Sequence, residues 1–437
     1  MPEKPRAIVV GAGLAGSEVS LRLARTGINV DLFEMRDRKL TEAHRTGWFA
    51  ELICSNSLGS EEVSSGKGLL KEELRILESA LLSIASVVKV PAGKALAVDR
   101  ELFAKGVTEA VRSCPEIRII NEEVTKIPDA PIVVLACGPL ATEPITSAIR
   151  SLIGDESFYF YDAISPIVDA WTIDMNAGYI ADRYGAGTGD YLNLPMDRER
   201  YAVFLEALLS AKTMPLRDFE KPKYFEGCMP VEEIARRGPE TLLFGPLRPV
   251  GLPDPRTGKI PHAVVQLRKE NRVGAMYNLV GFQTRMTWPE QKKVFSIIPG
   301  LENAEFFRYG SVHRNSFINA RRHLTPWMEL RDRPGLFFAG QITGVEGYVE
   351  SIASGVVVGV AATDRAFGRE PRPFPPESII GALMAHITTP CSREPQPMNA
   401  NYGLLPEVFL RRKRDRKERK IEIALEATRN FAATLGL

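Results

Sequence analysis

Two cysteines stand where sulfur could do chemistry. Cys54 lies in Ile53-Cys54-Ser55-Asn56-Ser57, and Cys228 lies in Gly227-Cys228-Met229-Pro230. A thiolate is a strong nucleophile toward an electron-poor carbon. A free thiol has a pKa of roughly 8.5 and needs nearby positive charge or a helix N-terminus to ionise at neutral pH. Val231 to Arg237 (VEEIARR) reads as a helix starting at Pro230. Cys228 therefore sits where free N–H groups and the helix dipole favour a thiolate, with Arg236 and Arg237 adding charge one to two turns on. Cys54 sits in a polar loop of small residues. The remaining cysteines, Cys114, Cys137 and Cys391, read as packed thiols. The five are odd in number, far apart and without a CxxC pair. That argues against a disulfide framework or a zinc site and for a reducing cytoplasm. His44, His262, His323 and His386 show no metal-ligand spacing, so no metal is expected.

A second chemistry is written in Gly11-Ala12-Gly13-Leu14-Ala15-Gly16, which fits GxGxxG. Gly11 permits a tight turn, Gly13 lets backbone approach a pyrophosphate, and Gly16 lets helix and strand pack closely. The helix N-terminus offers free N–H groups to phosphate. Glu34 is placed to accept hydrogen bonds from a ribose.

These groups need a scaffold. Arg6 to Val10 reads as a buried parallel strand, Ser17 to Thr26 as a helix closed by Gly27, and Asn29 to Phe33 as a second strand. Helices are expected over residues 67–80 and 99–112, the second capped by Asp99. Ile132 to Ala136 reads as a strand running into Cys137-Gly138-Pro139. From about residue 170 the chain becomes rich in Pro and Gly, with short strands. Near residue 310 the earlier character returns with Leu336 to Gly340, then a helix over 344–362 and a last long helix over 411–435. The expected fold class is α/β. A Rossmann-like FAD-binding domain over 1–170 and 310–437 carries an inserted α+β domain over 171–309.

FAD is favoured over NAD. The stretch IVVLACGP and the later LFFAGQITGVEGYVESIASG resemble elements of two-dinucleotide-binding flavoproteins. In those proteins the residue after the late strand contacts the ribityl chain. It is often Asp there and is Gln341 here, beside Gly340, and Gln341 can still bond hydroxyls. No second nucleotide fold for NADH or NADPH is present; Gly185 to Asp190 reads as a loop. A nicotinamide would have to bind in the open cleft over the flavin.

The chain has 437 residues, with 56 basic and 54 acidic side chains giving a net charge of +2. Any surface for nucleic acid must therefore come from local clustering. Arg411 to Lys420 (RRKRDRKERK) is such a cluster. It reads either as a solvated helix face with internal ion pairs or as a phosphate contact. The N-terminus runs straight into a strand with no secretory signal. No apolar run is long enough for a transmembrane helix, so no membrane association is expected.

Longer blocks narrow the reading. The segments GAGLAGSE, ELICSNSLGS, EGCMPVEEIARRG, LRKEN, YNLVGFQTRM, IPGLENAEFFRYGSVHRNSFI and GQITGVEGYVES run along nearly the whole chain. Together they resemble the folate- and FAD-dependent tRNA (uracil-5-)-methyltransferase family, which makes 5-methyluridine in the T loop. A related wobble-uridine-modifying flavoenzyme shares the last segment, but it is much longer.

The resemblance implies FAD as cofactor, methylenetetrahydrofolate as one-carbon donor, NADH or NADPH as reductant and tRNA as substrate, with no stable protein partner. It also implies roles for Cys54 and Cys228 and leaves open which one attacks carbon 6 of uracil. His313 is a candidate to stack on the pterin, and Tyr348 a candidate wall of the same pocket. The competing readings are an NAD(P)H-dependent flavin oxidoreductase acting on a small molecule, and a flavin-bound scaffold or redox sensor. The paired cysteines and the basic helix favour the methyltransferase.

Overall fold

The computed structural model describes residues 4–41, 43–154, 158–185, 189–215, 224, 229–391, 395–410 and 412–437. The continuous apolar runs become a five-stranded parallel sheet. Its order is Leu336–Phe338, Val133–Leu135, Arg6–Val10, Asn29–Phe33, Ile117–Ile120. Strands buried on both faces need no polar alternation, and Val9, Leu32, Val134 and Phe337 are all inaccessible to solvent. Helices Leu14–Arg25 and Tyr348–Ala366 lie against each other beside this sheet. Their close approach needs Gly355, where a Cβ would meet the Ala15 carbonyl oxygen at 2.8 Å.

A second hydrophobic core is built from residues between Val168 and Ala304. It packs under a six-stranded antiparallel sheet ordered Tyr179–Ile180, Tyr191–Met196, Ala263–Lys269, Met276–Leu279, Ile167–Asp169, Phe306–Arg308. A two-stranded ribbon, Phe158–Ile164 with Ser311–Phe317, joins the two regions and sets His313 opposite Asp162.

Two expected helices differ in the structure. The stretch 67–80 is two helices, Gly66–Ile76 and Ala80–Val87. Glu78 between them has a left-handed φ of 53°. Ser79 caps the second helix, and the buried Glu18 carboxylate accepts from Ser79 Oγ and Leu81 N. A side chain distant in sequence thus starts a new helix where local periodicity continued the old one. The late helix starts at Tyr348 rather than at residue 344, because Gly344 and Gly347 have φ values of 92° and 121°.

The basic C-terminal run opens helix Lys413–Thr434. Its buried face carries Ala424, Thr428 and Ala432 at four-residue spacing. Arg414 pairs with Glu418, Arg419 with Glu422, and Lys420 donates to the carbonyls of Tyr402 and Leu405. Much of this charge is therefore engaged within the chain. No helix among the described residues is long and apolar enough to cross a membrane.

Candidate functional site

The strand Arg6–Val10 ends in the glycine turn, and helix Leu14–Arg25 begins with Gly13 as its N-cap and no side-chain cap. Its first-turn N–H groups have no intrahelical acceptor. They face an open cavity lined by Gly11, Gly13, Leu14, Ala15, Glu34 and Gly340, among others. The glycines divide the work. A Cβ at Gly16 would sit 1.8 Å from the Gly11 carbonyl oxygen, and one at Gly11 would sit 2.5 Å from that of Ala136. These two allow strand, helix and neighbouring turn to touch. A Cβ at Gly13 would meet nothing within 4 Å, so Gly13 keeps space open for something outside the chain.

Ala12 donates its N–H to Glu34 Oε2 at 2.8 Å, which ties the turn to the end of the second strand. Glu34 also pairs with Arg36 at 2.8 Å, both side chains buried. Arg36 and the two backbone donors hold the Glu34 carboxyl below its ordinary range against the opposing effect of burial. Arg36 was not foreseen. Its Nη1 is buried without a partner among the described residues, a donor left for an acceptor in the cavity. Open Gly13, the free N–H groups and this orphaned donor together fit a dinucleotide, with Glu34 on a ribose and the helix start on phosphate. His44 also lines the cavity; burial, then the Arg36 charge, push it down to about 4, so it is neutral there. Cys137 lines it too, with burial pushing its thiol up to about 12.

A second cavity shares Ile53, Pro139, Leu140, Gln341 and Tyr348 with the first. Cys54, Asp162, His313, Asn315 and Glu346 also line it. The structure thus gathers Cys54, His313, Tyr348 and Gln341, which are spread over nearly three hundred residues of chain. The first-turn position of Tyr348 aims its hydroxyl at the Cys54 loop. Its oxygen accepts the N–H of Cys54 at 2.8 Å and that of Ser55 at 3.3 Å, and lies 2.9 Å from Cys54 Sγ. With its lone pairs taken by backbone, the phenol's proton is left for sulfur. Burial, then the Asp162 charge, push the Cys54 thiol up to about 12, against the lowering effect of Tyr348. Gln341 donates to Glu346 at 2.6 Å, and burial with the Asp162 charge raises the Glu346 carboxyl well above its usual range. His313 Nε2 lies 3.0 Å from Ser311 Oγ.

Three arginines hold the Cys54 loop. Arg100 donates to the carbonyls of Leu52 and Ile53 at 2.7 and 3.0 Å, and Arg308 donates to that of Ile53 at 2.7 Å. Arg268 reaches Ser55 Oγ at 2.8 Å and Asn56 Oδ1 at 2.9 Å. Buried Glu270 neutralises Arg100 at 2.9 Å. Sequence reading passed over this clamp, since nothing local ties Arg100, Arg268 or Arg308 to residue 54. Asp162 was missed for the same reason: only strand pairing places it opposite His313.

Cys228 lies outside the described residues. The helix expected behind it is Val231–Arg236, with Pro230 at its N-cap. Arg236 pairs with Glu233 at 3.0 Å, so its charge is partly spent within the helix. Among the described residues, no group of three His, Cys, Asp or Glu side chains is arranged to hold a metal.

A family model described as Glucose inhibited division protein A matches residues 6–370. The chain is 53% identical over 420 residues to a protein of a Sulfurihydrogenibium species named methylenetetrahydrofolate–tRNA-(uracil-5-)-methyltransferase TrmFO, covering 96% of each chain. It is 54% identical over 427 residues to the protein of that name from Heliobacterium modesticaldum, covering 97% of each. Among solved structures it is similar to Aquifex aeolicus GidA, with a TM-score of 0.72 at 18% identity over 98% of this chain and 74% of that one. At that identity the likeness speaks for the fold alone.

Proposed function

The chain belongs to the methylenetetrahydrofolate–tRNA-(uracil-5-)-methyltransferase family, and we propose that its two adjoining cavities hold the flavin and the one-carbon donor side by side. The enzyme methylates carbon 5 of uridine in tRNA with methylenetetrahydrofolate as donor and FAD as cofactor. The observation that carries the site reading is the shared wall of Ile53, Pro139, Leu140, Gln341 and Tyr348 between a dinucleotide-shaped cavity and one containing Cys54 and His313.

Bound FAD supplies the electrons that turn a transferred methylene into a methyl group. In this reading Gly11, Ala12, Gly13, Leu14, Ala15 and Gly16 cradle its pyrophosphate, Glu34 and Arg36 bind at the adenosine end, and Gly340 and Gln341 lie along the chain leading to the ring. On this reading the shared wall would bring the donor's methylene beside that ring, with His313 and Tyr348 flanking the pterin. Carbon 5 of uracil is a poor nucleophile. A thiolate adding to carbon 6 forms a new C–S bond and leaves an enolate, whose carbon 5 attacks the methylene. Loss of the carbon 5 proton and departure of tetrahydrofolate leave an exocyclic methylene, and a hydride equivalent then makes it methyl as sulfur is expelled from carbon 6 and the ring double bond returns.

We assign that addition to Cys228 and place Cys54 at the flavin–donor boundary. The Cys54 thiol is held protonated beside Tyr348, which suits a group that guards or hands on a proton better than one that attacks. NADH or NADPH as reductant, the T loop as target and a cytoplasmic location complete the reading. So does a division into a flavin unit over 1–170 and 310–437 with an insert over 171–309, in keeping with the two separate cores. The exposed Arg412 end of the basic helix is a candidate phosphate contact.

The test is purified flavoprotein with NADH, methylenetetrahydrofolate and unmodified tRNA. Formation of 5-methyluridine without S-adenosylmethionine is expected. A reducible flavin with no transfer to tRNA would favour a small-molecule oxidoreductase instead.

A further inference from the structure

An aromatic ladder runs from the second core to the surface. Phe282 packs on Phe295 at a centroid distance of 5.6 Å, Phe295 on Phe306 at 6.2 Å, and Phe306 on Tyr309 at 4.9 Å. Tyr309 then stacks on Trp288 at 5.5 Å with only 14° between the rings. Trp288 ends the ladder 64% exposed. One indole face rests on Tyr309, and most of the residue stays in solvent. What sets it apart from other exposed aromatics is the ring stacked flat behind it, which holds the indole in a fixed orientation.

Its surroundings are basic. Lys292 lies four residues on in the same helix, Trp288–Phe295, and therefore on the same face. Lys293 follows it, and Lys212 is held alongside by the hydrogen bond from Thr287 N to its carbonyl. All three lysines are exposed, and none is ion-paired among the described residues. Glu290 is the one carboxylate in the first turn of that helix.

The location joins both halves of the site. Thr213 bridges to Met286, and Val231 donates to Gln283. Both flanks of the segment carrying Cys228 are thus tied to the irregular stretch that leads into Trp288. On the other side, Tyr309 directly follows Arg308, which grips the Cys54 loop, and precedes by four residues His313 of the second cavity. Four extended residues span about 13 Å at most, so the exposed indole lies within a few nucleotides of a base brought up to the donor at that cavity.

We propose that Trp288 is a stacking platform for an unpaired base of the tRNA substrate, with Lys212, Lys292 and Lys293 contacting the adjoining phosphates. This rests on the methyltransferase reading. Every base has a π face, so a flat indole on a rigid support beside positive charge suits a splayed loop of RNA. A target base drawn out of the T loop leaves neighbours unstacked, and such a platform would hold one of them.

The test is tRNA binding by the full-length FAD-bound protein across a range of salt concentrations. Trp288→Ala should weaken binding about 5- to 150-fold with an unchanged slope of log K against log salt. Trp288→Tyr should restore most of the affinity, since it keeps a flat ring. Lys292→Ala with Lys293→Ala should instead lower the slope by about 2. Binding by Trp288→Ala within twofold of wild type would overturn the platform. So would a shift from dimer to monomer on sedimentation of Trp288→Ala without a change in tRNA affinity, which would make this face a contact between copies of the chain. Failure of the wild-type protein to bind or methylate tRNA would instead remove the methyltransferase reading itself.

Discussion

Replacing Tyr348 with Phe removes a single oxygen on which three groups of the Cys54 loop converge. The N–H of Cys54 at 2.8 Å and that of Ser55 at 3.3 Å lose their acceptor, and Cys54 Sγ at 2.9 Å loses its partner. A buried donor left unsatisfied costs about 1–3 kcal/mol. The longer Ser55 bond contributes less. The expected loss is therefore about 1–3 kcal/mol rather than the sum of all three, read from urea melts of the FAD-bound protein followed by flavin fluorescence and circular dichroism together.

Sulfur chemistry supplies a second readout. With the thiol pushed up to about 12, about one part in a thousand is thiolate at pH 9, against about three quarters for a free thiol near 8.5. Alkylation of Cys54 by iodoacetamide, followed on its own peptide by mass spectrometry, should therefore be some hundreds of times slower than that of a free cysteine. Removing the phenol donor should slow it further. A loss below about 0.5 kcal/mol, or alkylation of Cys54 in Tyr348→Phe as fast as in the unsubstituted protein, would refute the hydroxyl's role.

Other perturbations follow from the same geometry. Glu270→Ala strands the Arg100 guanidinium behind the Cys54 loop and should cost about 3–5 kcal/mol; adding Arg100→Met should recover much of it in a denaturation cycle. Gly16→Ala forces a methyl group against the Gly11 carbonyl, so it should destabilise the protein and abolish flavin absorbance. Gly13→Ala meets no protein atom; it should leave apoprotein melting unchanged and weaken FAD binding in a titration. Lys71 is fully buried on the carbonyls of Leu58 and Gly59, and burial pushes it down to about 7 from 10.5. The folded state then favours its neutral form, so stability is greatest above pH 10.5 and is lost as pH falls through 7. Denaturant midpoints should rise between pH 7 and 9 in the wild type and rise less in Lys71→Met.

The parts of the site that were legible in the sequence are those that chemistry writes locally. GAGLAG and Glu34 lie on one strand–turn–helix–strand unit, and the turn requires glycine for steric reasons that the positions of Gly11 and Gly16 bear out. Cys54, His313 and Tyr348 were singled out on their blocks of sequence, and they do line one cavity. What stayed hidden depends on pairing at a distance. Asp162 becomes a site residue only because its strand pairs with that of His313, and Arg100, Arg268 and Arg308 only because three separate elements meet at one loop. The break at Glu78 was illegible for the same reason, since the carboxylate that stabilises the second helix start comes from Glu18. Trp288 carries no local sequence signal, since its stack on Tyr309 and its exposure are set by the tertiary structure.

The most direct measurement of the central claim follows the carbon and its hydrogens. FAD-bound enzyme, a reductant and unmodified tRNA are supplied with methylenetetrahydrofolate carrying two deuteriums on the methylene, and the nucleosides are analysed by mass after digestion. The account predicts 5-methyluridine heavier by two deuteriums, its third methyl hydrogen arriving by reduction, and no product when the flavin is kept oxidised. Product without deuterium, or product formed at the same rate with oxidised flavin and no reductant, would contradict it.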